Sequence, residues 1–94
     1  MEQHHEVALD LALDELYLQG ATSIHKDRLY LWFNAVRLNK GAYRFIIRRW
    51  EKLCERYAHE EVPELSVLEF NGPTLNLRRG AFEGEEIVPM DNWA

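Results

Sequence analysis

The sequence predicts an α+β domain that is mainly α, a three-helix bundle followed by a β-hairpin with room for a third short strand. Three observations carry this expectation. Apolar residues recur every three to four positions in the first 57 residues, the period changes to two after Pro63, and Asn71-Gly72 falls between two alternating runs. The chain has 94 residues, 47% of them apolar and 12% aromatic, which is enough for one core and too little for two. A single domain spanning residues 1–94 is expected.

Residues 6–19 place Leu9, Ala12, Leu13, Leu16 and Tyr17 on one face of a first helix, and Gly20 stops it because glycine tolerates the left-handed conformation. Thr22 and Ser23 offer hydroxyls to cap a second helix over residues 23–38, which reads as a core helix because Leu29 to Phe33, Ala35 and Val36 are apolar nearly all round. Asn39, Lys40 and Gly41 make the next turn. A third helix over residues 42–59 sends Ile46, Trp50, Leu53 and Tyr57 inward, and Pro63 prevents its continuation.

Residues 65–79 then alternate around Asn71-Gly72, the strongest short signal for a two-residue hairpin turn, although Pro73 argues against the tightest form. Glu85 to Val88 can add a third strand inside an acidic C-terminal segment, residues 81–94. Trp93 is expected to fold back onto the domain.

Several classes of function are disfavoured. No apolar run approaches the roughly 20 residues of a membrane span, and the acidic start lacks the basic region of a secretory leader, so a cytosolic protein without a membrane partner is expected. A lone cysteine, Cys54, forms no internal disulfide and reads as a packed thiol. Of the four histidines, His4, His5, His25 and His59, no two have the spacing that shares a helix face, and adjacent His4 and His5 should diverge, so no metal or other cofactor is expected. Glycine-rich phosphate loops, nucleophile motifs and converging carboxylates are missing from the sequence, which reads as non-catalytic.

The net charge of −5 conceals a segregation. Between Ser23 and Arg56 nine basic residues face three acidic ones, and the remainder carries two basic and thirteen acidic residues. Within the basic middle, Lys40, Arg44, Arg48, Lys52 and Arg56 recur every four residues. On a helix that spacing draws a slanted cationic ridge about 24 Å long.

A third helix of this kind, preceded by a helix and a short glycine-containing turn and followed by a hairpin, resembles the winged helix-turn-helix of DNA-binding domains over residues 23–79. The resemblance implies a small transcription or replication regulator that binds duplex DNA, as a homodimer if it reads a specific site. Base and backbone contacts would fall to Lys40, Tyr43, Arg44, Arg48, Lys52 and Arg56, with Arg78 and Arg79 acting from the hairpin. Glu51 and Glu55, beside the distal end of the ridge, depart from that pattern.

Two other readings stand beside it. The ridge can be a solvated face on which Glu51 and Glu55 pair with Arg48 and Lys52. Alternatively the protein is an adaptor or inhibitor, of the sort that mobile elements encode, which meets an acidic protein surface with the ridge or a partner with Glu85, Glu86, Met90, Asp91 and Trp93 of its acidic tail.

Overall fold

The computed structural model describes residues 2–57, 62–68 and 72–94. Among them are helices α1 (Gln3–Gln19), α2 (Lys26–Phe33) and α3 (Lys40–Arg56), strands β1 (Ala21–His25), β2 (Ser66–Leu68), β3 (Thr74–Arg78) and β4 (Ile87–Pro89), and a closing 3₁₀ turn, Met90–Trp93. The strands form one antiparallel sheet in the order β1-β3-β2-β4. The fold is therefore α+β, as expected, but with a four-stranded sheet where the sequence predicted a hairpin.

α1 follows the predicted periodicity. Leu9, Leu13 and Leu16 are fully buried, and the helix closes on Gly20 at φ +86°, whose N–H donates to the Leu16 carbonyl at 2.8 Å. The largest correction comes next. The predicted second helix was to start at Thr22 and Ser23, yet residues 21–25 are a strand that pairs with β3 along its whole length, from Ala21 opposite Arg78 to His25 opposite Thr74. Thr22 and Ile24 alternate inward, a two-residue period with β-branched side chains that suits a strand better than a helix start. The Thr22 hydroxyl donates to the Glu15 carboxylate at 2.9 Å instead of capping a helix.

α2 is consequently short. Its cap is the His25 ring, whose Nδ1 accepts from the Asp27 N–H at 3.3 Å. It ends at Asn34, left-handed at φ +51°, where the N–H groups of Asn34 and Ala35 reach back to the Leu31 and Tyr30 carbonyls. It is not the core helix the sequence suggested: Leu29 and Trp32 are buried, but Leu31 is 66% exposed and Val36, beyond the helix end, 94%.

α3 begins two residues before its predicted start because the Asn39 side chain caps it, Oδ1 accepting from the Ala42 N–H at 3.0 Å. Ala42, Ile46, Trp50, Leu53 and Cys54 are buried, and the Trp50 indole N–H donates to the Pro63 carbonyl at 2.7 Å. Tyr57, expected inward, is half-exposed at the helix end.

β2 and β3 form the expected ribbon, with Ser66 opposite Arg78 and Val67 opposite Leu77. Asn71 of the predicted Asn71-Gly72 turn lies outside the described residues, as does the predicted end of α3 at His59. β4 supplies the third strand on the free edge of β2, and Pro89 is tolerated there because an edge strand need not donate on both sides. Met90 then enters the core fully buried, and Trp93 folds back edge-on against Tyr43, ring centroids 5.5 Å apart.

Candidate nucleic-acid interface

α3 sorts its side chains by a simple rule. Each of Lys40, Arg44, Arg48, Lys52 and Arg56 lies two positions from a buried residue of the same helix, about 200° round the axis, and all five are exposed. None of the five makes an ion pair among the described residues, and neither does Glu51 or Glu55. The neutralising pairs of the solvated-face reading are thus not formed.

The neighbouring cation is used differently. Arg49 donates to both carboxylate oxygens of Asp10 on α1 and lies 3.7 Å from Glu6. The hydrogen bond to Asp10 raises its pKa further, against the opposing effect of burial and with help from the charges of Asp10 and Glu6. Arg49 ties two helices together, which removes it from the ridge.

Acidity is unevenly distributed along the ridge. From Arg28 to Trp50 the chain has six basic residues and no acidic one, so the stretch from Arg37 through Lys40, Arg44 and Arg48 is uniformly cationic. The distal part is mixed. Lys52 and Arg56 border a cleft of about 280 Å³ that also contains Asp10, Asp14, Arg49 and Tyr57. The charge of Asp14, followed by its hydrogen bond from the hydroxyl, raises the Tyr57 pKa.

Tyr43 is half-buried between the ridge and Trp93, and its hydroxyl pKa is raised by burial and then by Tyr30. Arg78 and Arg79 are not brought to the cationic end of α3. Arg78 sits at the base of the ribbon, opposite both Ala21 and Ser66, and Arg79 follows it, its backbone N–H donating to the Gly20 carbonyl at 3.0 Å. Arg78 is held by Glu85, with Nε at 3.0 and 3.2 Å from its two oxygens and Nη2 at 3.0 Å. The bonds from Arg78, then that from the Phe82 N–H, lower the Glu85 pKa. Arg79 remains exposed, and its charge reaches Cys54, where it opposes the upward pull of burial on the thiol.

The tail residues divide similarly. Glu85, Met90 and Trp93 are engaged within the fold, and Glu86 and Asp91 are exposed. At the first turn of α1, Glu2, His4 and His5 place one ligand atom each within 4.8 Å of one another. The adjacent histidine rings do not diverge as expected but meet edge-on, centroids 4.0 Å apart. Glu2, at the cap position of α1 but without a capping hydrogen bond from its side chain, brings a carboxylate oxygen to 3.5 Å from His4 Nε2. The positive end of the helix dipole opposes a cation there.

Comparisons with family models, with curated proteins and with solved structures found no match to this chain. No helix of the described residues is long and apolar enough to cross a membrane.

Proposed function

We propose that the protein is a small, non-catalytic regulator that binds duplex DNA through α3, in the manner of a winged helix-turn-helix. The observation that carries this reading is the exposed row Lys40, Arg44, Arg48, Lys52 and Arg56, which lacks ion-pair partners among the described residues although the chain is acidic overall. The element order gives further support. A helix, a strand, two helices and a ribbon, with the first strand joined to the ribbon's second strand, is the plan on which winged helices are built, and β4 is an addition to it.

The N-terminal half of α3 enters the major groove, where Arg44 and Arg48 read base edges and Lys40 holds phosphate. Tyr43 packs behind them, while Lys52 and Arg56 meet the flanking backbone less strongly because of the acids beside them. Arg79 is left to touch phosphate from the ribbon base, and Arg78 has no role in binding because Glu85 holds it. The adaptor reading through residues 81–94 draws little support, since Glu85, Met90 and Trp93 are used inside the fold.

The test is fluorescence anisotropy of a labelled duplex from about 50 to 200 mM salt. Four or more phosphate contacts give a slope of log K against log salt of about −4 or steeper. The double variant Arg44→Glu, Arg48→Glu should abolish binding and shift the Tm by only a few degrees, because exposed substitutions change stability by about 0.5 kcal/mol. Unchanged binding by the variant, or no binding by the native protein at low salt, would remove DNA as the partner of the ridge and leave an acidic protein surface in its place.

A further inference from the structure

The first turn of α1 gathers three side chains of the kinds that ligate metals. Glu2, His4 and His5 each bring one ligand atom within 4.8 Å of the other two. Donors that share one tetrahedral zinc, each 2.0–2.1 Å from it, lie about 3.3 Å apart. The 3.5 Å between Glu2 Oε2 and His4 Nε2 is already close to that spacing. The remaining separations close by at most about 1.5 Å. Glu2 and His4 are exposed, so a change of rotamer supplies the adjustment.

Tertiary structure adds what a helix terminus alone lacks. The His5 ring stacks on Trp32 of α2, with centroids 6.4 Å apart and planes 29° apart, and Trp32 is itself buried. That contact restricts one donor before a cation arrives, which lowers the entropy lost on binding. Glu2 and His5 also border a cleft of about 770 Å³ with Leu31, Trp32, Phe33 and Asn34. A cation held by the three side chains thus has an open side for water or a fourth ligand. None of the described residues that line the cleft is a lysine or arginine. The helix dipole works against a cation at this end, an effect of about twofold to fivefold in affinity, and the Glu2 carboxylate offsets it.

We propose that Glu2, His4 and His5 form a binding site for a divalent transition-metal cation of the zinc type. Two imidazoles and one carboxylate suit zinc, copper or nickel, whereas magnesium and calcium take oxygen donors. The proposal does not depend on DNA binding by α3.

The test is a calorimetric titration of zinc alone into the full chain, prepared without a histidine tag. The native protein should take up one zinc ion, and magnesium in about tenfold excess should not displace it. His4→Ala, His5→Phe and Glu2→Gln should each weaken binding at least about tenfold, the lower end of what loss of even an outer partner costs at a metal site. His5→Phe removes a donor but keeps a ring against Trp32, and exposed His4 supplies the same comparison should that variant fold poorly. Failure of the native protein to take up zinc at about 0.1 mM would overturn the proposal. Undiminished uptake by both histidine variants would place the cation elsewhere in the chain. Undiminished uptake by Glu2→Gln, or displacement by magnesium, would refute the arrangement of two imidazoles and a carboxylate.

Discussion

Arg48 projects from α3 without an ion-pair partner among the described residues, whereas the guanidinium of Arg49, one position on, is held by Asp10 of α1. The step of 100° between neighbours on a helix separates a side chain available to a ligand from one that fastens the fold. Arg49→Ala should therefore lower stability in urea by about 1 kcal/mol, the range of a partly exposed, two-point arginine–carboxylate pair, and Arg48→Ala by less than about 0.5 kcal/mol. Duplex binding should respond in the opposite order. Glu85 offers a pH test at the same scale. Arg78 holds its pKa below the ordinary 4.5, so the stabilisation is fully present above that value and is lost as pH falls through the lower, folded-state value. Acid melts of native protein and Glu85→Gln should converge below that range and separate above it. Parallel curves at all pH values would show that the Arg78 contact adds nothing.

At the scale of elements, legibility followed amphipathicity. α3 could be read because one buried row and one cationic row coexist on a single helix, and both persist in the structure. Its true start was less clear, since Asn39 reads as a turn residue until its side chain is seen to cap the Ala42 N–H. Replacing Asn39 with alanine should cost about 1 kcal/mol, measured by denaturant melts, and should loosen the turn that presents Lys40. β1 was missed for a specific reason. Five residues that contain Thr and Ser after a glycine satisfy the rules for a helix cap, and only pairing with β3, 49 to 57 residues later, selects the strand. The alternation of Thr22 and Ile24 was the available signal, too short to outweigh the cap. α2 then shortened from both ends, which left Leu31 outside the core that its composition suggested.

For the whole molecule, the acidic tail is part of the structure and not an appendage. β4 pairs with β2, the Met90 N–H donates to the Leu65 carbonyl at 3.0 Å, and the Met90 side chain is fully buried. Deleting residues 81–94 removes a strand, a core side chain and the ring that covers Tyr43. The shortened chain should lose its cooperative thermal transition, since a buried methionine alone contributes roughly 2–5 kcal/mol when truncated to alanine. A sharp melt near the native Tm would return the tail to the status of a free peptide and revive the adaptor reading.

The sequence by itself determined the features that depend on near neighbours along the chain: the buried faces of α1 and α3, the stop at Gly20, and the four-residue row of cations. Their periods are properties of a helix in isolation. Tertiary structure decided which charges are spent and which remain outward. Arg49 and Arg78 are consumed by Asp10 and Glu85, and Lys40, Arg44 and Arg48 are not, because ion pairing depends on elements that meet only after folding. β1 belongs to the same category. A strand draws its hydrogen bonds from another part of the chain, so its local sequence need not announce it.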